Sequence, residues 1–131
     1  MRRLLDTSAL INLLKGERLR HLSDAMILDL TVYEALNFVW KELYLLKKID
    51  ENTALRLTRA LKKIFDTLEI LSMRGYEEKA LELAIKHGIT VYDASYIAIA
   101  AEKGLILVTD DYELSKVASS YVKVLNSLNL E

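Results

Sequence analysis

The segment Leu105-Ile106-Leu107-Val108-Thr109, followed at once by Asp110-Asp111, decides the fold class of this chain. It is a continuous apolar run rather than an alternating one, which is typical of a strand buried on both faces of a parallel sheet. Similar short runs at residues 2–6, 25–30 and 68–73 predict three more strands, and residues 122–125 predict a fifth.

Segments with apolar residues at helical spacing separate these strands. The predicted helices are one capped by Thr7 or Ser8 and ended by Gly16, one capped by Thr31, and three over residues 50–65, 76–87 and 92–103. Short strands that alternate with helices imply right-handed crossovers. We therefore expect an α/β fold, a three-layer α/β/α sandwich around a mostly parallel sheet of about five strands.

Composition limits the classes of protein to consider. The chain has 131 residues, of which 52% are hydrophobic and 28% charged, so we expect a single folded domain over residues 1–131 rather than a disordered chain. It has no cysteine, which excludes disulfides, thiolate nucleophiles and cysteine-bound zinc. The formal net charge is −1, so a nucleic-acid partner would have to be bound by a local basic patch.

The sequence contains no apolar stretch of membrane-spanning length. At the N-terminus, Asp6 interrupts the apolar residues before a signal region develops. The expectation is a soluble cytoplasmic protein with no membrane association.

Carboxylates cluster where the predicted strands end. Asp6 closes the first strand, Glu34 lies in the first turn after the second, Asp93 opens the helix before the fourth, and Asp110 and Asp111 follow the fourth. The carboxyl ends of parallel strands share one edge of a sheet, so four segments bring acids to one rim. Each acid taken alone is more often a helix cap or turn former.

Together, these acids would repel one another unless a cation lay among them. Oxygen ligands without cysteine or a nearby histidine suit Mg²⁺ or Mn²⁺. Such ions orient a water molecule and neutralise charge on a phosphodiester. Phosphodiester hydrolysis is the reaction class that this pattern favours.

Four segments resemble the ordered motifs of PIN-domain ribonucleases, and above all the short VapC-type toxins of archaeal toxin–antitoxin pairs. They are Leu4-Leu5-Asp6-Thr7-Ser8-Ala9-Leu10, Leu30-Thr31-Val32-Tyr33-Glu34-Ala35-Leu36-Asn37, Val91-Tyr92-Asp93-Ala94-Ser95-Tyr96-Ile97-Ala98-Ile99-Ala100 and Leu107-Val108-Thr109-Asp110-Asp111. The resemblance covers almost the whole chain. It implies a PIN-like fold and a Mg²⁺- or Mn²⁺-dependent endoribonuclease.

The resemblance also implies roles for individual residues. Asp6, Glu34, Asp93 and Asp111 would be the catalytic and metal-binding acids, with Asp110 as the less favoured substitute for Asp111. The hydroxyls of Thr7, Ser8 and Thr109 would orient these carboxylates, or would simply cap helices. The implied partners are an RNA substrate, a small antitoxin protein, and further copies of the chain in a homodimer or a dimer of dimers.

Two questions stay open at this stage. The main rival function is a catalytically weak or silent PIN fold that binds RNA or protein, and the RNA-binding residues are unknown. Among the aromatic residues, the helical stripe Tyr33, Trp40 and Tyr44 fits a surface for an antitoxin segment or a second copy of the chain, or core packing, with core packing favoured for Trp40. Tyr92 fits base stacking or packing against the start of its helix, with packing favoured.

Overall fold

A computed structural model describes residues 2–130, which contain one five-stranded sheet with helices on both faces. The strands are β1 (Arg3–Leu5), β2 (Ala25–Leu28), β3 (Glu69–Leu71), β4 (Ile106–Val108) and β5 (Val124–Leu125). The helices are α1 (Thr7–Lys15), α2 (Asp29–Trp40), α3 (Glu51–Thr67), α4 (Glu77–His87), α5 (Val91–Lys103) and α6 (Tyr112–Ala118). Short 3₁₀ turns cover Leu19–Leu22 and Ser127–Asn129, and a π-helical segment, Lys41–Leu45, extends α2.

The sheet has the order β3-β2-β1-β4-β5, and every neighbouring pair is parallel. The chain runs outward from β1 to β3, crosses back to β4 and then runs outward to β5. Strand order therefore reverses between β1 and β4, where Leu4 pairs with Leu107. In open parallel sheets, ligands bind beyond the carboxyl ends of the strands at such a reversal.

Alternate residues of the strands build two apolar cores. Leu4 and Leu107 point to the face that carries α4, α5 and α6. Leu5 and Val108 point to the face that carries α1, α2 and α3. This double burial explains why the strand residues read as continuous apolar runs, and it confirms the predicted α/β/α sandwich.

Helix ends differ from the prediction at α1 and α2. The N-cap of α1 is Asp6, whose carboxylate accepts from the Ala9 amide, rather than Thr7 or Ser8. Helix α2 begins at Asp29, so Thr31 is inside its first turn, where its Oγ1 accepts a hydrogen bond from the Leu28 amide. Glu34 consequently lies in the second turn of α2, not the first.

Three further differences from the prediction concern Trp40, Tyr92 and helix α6. Trp40 is 47% exposed and stacks on the exposed Tyr44, so it is not a core residue. Tyr92, expected to pack against its helix, is 60% exposed. Helix α6 was not predicted, because only Leu114 and Ala118 of its seven residues are buried. No helix in the part of the chain that the structure describes is long and apolar enough to cross a membrane.

Candidate active site

The predicted acids lie at the carboxyl edge of the sheet, around the reversal between β1 and β4. Asp6 directly follows β1, and its amide donates to the Val108 carbonyl at the end of β4. Asp110 and Asp111 follow β4, while α2 and α5 bring Glu34 and Asp93.

Asp6 is the most buried of these acids, with 4% of its surface exposed. Its Oδ1 accepts from the Ser8 hydroxyl at 2.7 Å and from the Ala9 amide at 2.9 Å, and its Oδ2 accepts from the Thr109 hydroxyl. Burial raises the pKa of Asp6 to about 6, although these three hydrogen bonds oppose the increase. The buried carboxylate is thus held rigidly by hydroxyl and amide donors and has no cation beside it among these partners.

Glu34 is held by a separate chain of hydroxyl groups. Its Oε1 accepts from Thr7 at 2.7 Å and from the Tyr96 hydroxyl at 2.9 Å. Burial raises the pKa of Tyr96, and the charge of Glu34 raises it further, so this hydroxyl remains a donor. The Tyr96 oxygen lies 2.7 Å from Thr31 Oγ1, which donates to it because the Tyr96 proton is directed to Glu34.

Asp93 is affected by the charges of two other predicted acids. Its side chain is half-buried, and its amide donates to Thr90, the N-cap of α5. Burial raises the pKa of Asp93, and the charges of Asp111 and then Glu34 raise it further. Asp93 therefore lies close enough to Asp111 and Glu34, which come from two other segments, for both charges to act on it.

The two consecutive aspartates after β4 have different surroundings. Asp110 accepts hydrogen bonds from Asn12 Nδ2 at 2.6 Å and from the Ser127 amide and hydroxyl at 2.7 and 2.6 Å. Burial raises the pKa of Asp110, but these bonds outweigh that effect and hold the pKa below its usual value. Asp111 is exposed and caps α6 through the Leu114 amide. Asp110 thus joins α1 to the C-terminal 3₁₀ turn through Asn12 and Ser127, whereas Asp111 is exposed to solvent.

The acids do not yet form a closed metal cage. Among residues 2–130, no three Asp, Glu, His or Cys side chains stand close enough to hold one ion as they are placed. The donor set is nevertheless composed of carboxylate oxygens, which suits a hard divalent ion. The side chains of Asp111 and Asp93 are exposed and half-buried, respectively, whereas that of Asp6 is buried and that of Glu34 is held by Thr7 and Tyr96.

Sequence comparison now identifies the fold family. The family model described as the PIN domain matches residues 3–120. The chain belongs to the PIN-domain family.

Curated proteins similar to this PIN domain include two from Pyrobaculum aerophilum. Exonuclease VapC9 is 40% identical over 113 residues, which cover 85% of this chain and 81% of that protein. Ribonuclease VapC3 is 38% identical over 91 residues, which cover 68% of this chain and 67% of that protein. The names of the two relatives thus agree on nuclease activity and differ in the kind of nuclease.

Solved structures show the same fold. The crystal structure of PAE2754 from Pyrobaculum aerophilum has a TM-score of 0.82 and 34% identity, and covers 99% of this chain and 93% of that one. A toxin–antitoxin complex from Klebsiella pneumoniae has a TM-score of 0.67 at 19% identity, with coverage of 94% and 95%. The second likeness concerns the fold alone.

Two shallow depressions flank the acidic edge of the PIN domain, and each has a basic residue. One of about 560 Å³ is lined by Arg18, Asp111 and Tyr112, among others. Another of about 400 Å³ is lined by Glu34 and Lys41. Two other cations form ion pairs, since Lys15 binds Glu42 at 2.8 Å and Arg2 binds Glu69.

Sequence reasoning did not single out Tyr96, Thr31 or Asn12 as residues that hold the acids in place. Tyr96 is almost fully buried and connects Thr31 to Glu34. One signal was available for Tyr96, because it lies three residues after Asp93 and therefore on the same face of α5. Asn12 reaches Asp110 across 98 residues of sequence, and no local pattern predicts that contact.

Proposed function

We propose that this PIN domain is a Mg²⁺- or Mn²⁺-dependent endoribonuclease and the toxin of a toxin–antitoxin pair. Family membership and the nuclease names of the two similar proteins support the reaction class. The observation that carries the proposal is electrostatic, because Glu34 and Asp111, from two other segments, both raise the pKa of Asp93. An acid whose pKa is raised by burial and by neighbouring acids is a functional-site signature when it lies at the ligand-binding edge of a fold.

Asp93, Glu34, Asp111 and Asp6 are the proposed metal-binding acids. Mg²⁺ or Mn²⁺ bound by such carboxylates supplies charge neutralisation for a phosphodiester and a water of lowered pKa. Asp111 takes this role rather than Asp110, because Asp111 is the acid of this pair that acts on Asp93, whereas Asp110 joins α1 to the C-terminal turn.

Hydroxyl groups set the position of two of these acids. Thr7 and Tyr96 hold Glu34 through one oxygen, Oε1. Ser8 and Thr109 hold Asp6, and the same two hydroxyls accept from the amides of Asp110 and Asp111. The loop after β4 is thereby tied to the loop after β1, which keeps the acids of both loops at a common edge.

Arg18 and Lys41 are the proposed contacts to the RNA backbone. They line two adjoining depressions that share Asn12, with Arg18 in the one that contains Asp111 and Lys41 in the one that contains Glu34. Positive side chains bind phosphates without regard to sequence and orient the strand. A strand bound along both depressions would pass Asp111 in one and Glu34 in the other.

Cleavage of a circular single-stranded RNA tests the proposal and decides between internal and end-directed attack. We expect cleavage of circular and linear RNA with Mg²⁺ or Mn²⁺, none with EDTA, and none by Asp93→Asn. Asp24→Asn is the matched control, because Asp24 is an exposed acid at the opposite end of β2. Attack on linear RNA alone would make the protein an exonuclease, and equal cleavage in EDTA would exclude the metal-dependent mechanism.

The toxin role has its own test. Expression of the wild-type protein in a bacterial host is expected to arrest growth, and expression of Asp93→Asn is not. A small antitoxin protein that copurifies with the chain is the expected partner, together with a second copy in a homodimer or a dimer of dimers. Normal growth on expression of an active nuclease would contradict the toxin role but not the proposed nuclease activity.

A catalytically weak PIN fold that binds RNA or protein is the second candidate. It is favoured by one observation, that no three acids among residues 2–130 are grouped to hold an ion as placed. RNA binding that persists in EDTA without cleavage under any metal would establish it.

A further inference from the structure

Two exposed tyrosines precede two of the proposed acids in the chain and line a depression that contains neither Arg18 nor Lys41. Tyr33 directly precedes Glu34 in α2, and Tyr92 directly precedes Asp93 in α5. Tyr33 is 77% exposed and Tyr92 is 60% exposed. Both side chains line a third depression of about 270 Å³, together with Leu30, Met73 and Val91.

The chemistry of this depression distinguishes it from the other two. Its lining is mainly apolar and aromatic and includes neither lysine nor arginine, and its one carboxylate, Asp29, repels anions. A phosphate group is therefore disfavoured there. A flat, neutral ring is favoured as a ligand. It can pack against the apolar side chains and the two tyrosine rings, and it carries no charge that would need a partner.

The two rings also lack partners within the described chain. Exposed Trp40 and Tyr44 further along α2 stack on each other with centroids 5.3 Å apart. Among residues 2–130, neither Tyr33 nor Tyr92 has such a ring contact, and neither hydroxyl makes a hydrogen bond with another of these residues. Their faces are available to a ligand.

We infer that Tyr33 and Tyr92 form a stacking subsite for an unpaired base next to the cleaved phosphodiester of RNA. The inference rests on the proposed function, because the acids that adjoin both tyrosines would act on the phosphodiester. A base inside a duplex is stacked and paired on both sides, whereas a base in a single strand turns its face outward to an aromatic ring. The subsite therefore selects single-stranded RNA at the cleaved position and tolerates different bases.

The experiment combines protein variants with altered substrates. Tyr33→Ala and Tyr92→Ala are each expected to reduce kcat/KM on a short single-stranded RNA by about fivefold to a hundredfold, mainly through KM. Tyr33→Phe and Tyr92→Phe are expected to restore it, because they keep the ring. Tyr44→Ala is the matched control, as it removes an exposed tyrosine from the same continuous helical segment but away from the depression.

The second arm removes the base instead of the ring. For the wild-type protein, an abasic unit beside the mapped cleavage position of the RNA is expected to reduce kcat/KM by a factor similar to that of the alanine variants. With Tyr33→Ala or Tyr92→Ala, the abasic unit is expected to cause little further loss of kcat/KM. Each variant already lacks one partner of the stacking interaction that the abasic unit removes.

Three results would overturn the subsite: unchanged kcat/KM in both alanine variants, failure of phenylalanine to restore it, or full cleavage of the abasic RNA. A change in oligomeric state of the alanine variants in size-exclusion chromatography would instead assign the tyrosines to contacts between copies of the chain.

The test also separates the subsite from nuclease activity. If the wild-type protein cuts no RNA, the nuclease proposal fails, and the affinity for a fluorescently labelled single-stranded RNA in EDTA decides about the subsite. Weaker binding by the alanine variants than by Tyr44→Ala would support it, and equal or absent binding would overturn it.

Discussion

Replacing Asp6 with Asn is expected to stabilise the metal-free protein at pH 8. Asp6 is almost fully buried, and burial raises its pKa from 3.8 to about 6. A carboxyl with a higher pKa in the folded state than in the unfolded state contributes stability while it is protonated. That contribution is complete below pH 3.8 and is lost as the pH rises through about 6.

The expected size follows from the same shift. A change from 3.8 to about 6 corresponds to roughly 3 kcal/mol of destabilisation once Asp6 is ionised. Asn is as good an N-cap as Asp, so the bond from the Ala9 amide survives. The new amide nitrogen faces Thr109, which loses its acceptor at a cost of about 1–2 kcal/mol. The net gain is about 1–2 kcal/mol, or roughly 3–8 °C in Tm for a domain of this size.

Thermal unfolding followed by circular dichroism in EDTA, from pH 4 to pH 8, measures this effect. The advantage of Asp6→Asn should be largest at pH 8 and should turn into a disadvantage towards pH 4, where the wild-type carboxyl is protonated and only the cost at Thr109 remains. The exposed Asp24→Asn variant should track the wild type throughout. A lower Tm for Asp6→Asn at pH 8, or an advantage of constant size across this range, would refute the reasoning and leave Asp6 as an ordinary helix cap.

Other predictions concern the supports of the site and of the sheet. Added Mn²⁺ should raise the Tm of the wild-type protein and of Asp24→Asn in a thermal shift assay but not that of Asp93→Asn, and an equal rise in Asp93→Asn would remove Asp93 from the metal site. Tyr96→Phe should cost about 1–3 kcal/mol in urea unfolding and should lower kcat, because the buried Thr31 hydroxyl loses its acceptor and Glu34 loses a donor; wild-type values would contradict this role. Leu107→Ala should cost about 2–5 kcal/mol with an unchanged m-value, because Leu107 is fully buried in β4, between β1 and β5, and a cost below about 1 kcal/mol would contradict that packing. Gly88→Ala should cost about 1 kcal/mol in urea unfolding through backbone strain alone, because Gly88 has φ +64° and nothing lies within 4 Å of an added Cβ; no loss of stability would contradict the left-handed conformation.

The layered architecture was predictable because its cause is local. A strand buried on both faces has no polar residue to alternate with, so the buried run at β4 is visible in the sequence itself. Glycine at the ends of α4 and α5 adopts a left-handed conformation, as the sequence indicated. The order of the strands creates the reversal between β1 and β4. This order depends on how the helices pack, and no single segment of the sequence predicts it.

The surroundings of the acids were less predictable, because they depend on contacts between distant segments. The sequence places Asp110 and Asp111 side by side as similar residues. Only the fold brings Asn12 and Ser127 to Asp110 while leaving Asp111 exposed. Similarly, helical periodicity puts Trp40 on an apolar stripe of α2 but does not show that this stripe faces away from the sheet.

Anomalous diffraction from crystals soaked with Mn²⁺ tests most directly whether the acids share a divalent ion. The account predicts a strong peak beyond the ends of β1 and β4, within about 2.5 Å of carboxylate oxygens of Asp93 and Asp111, and with Glu34 or Asp6 in contact directly or through water. Peaks confined to other surface acids, or no peak at this edge at millimolar Mn²⁺, would contradict it.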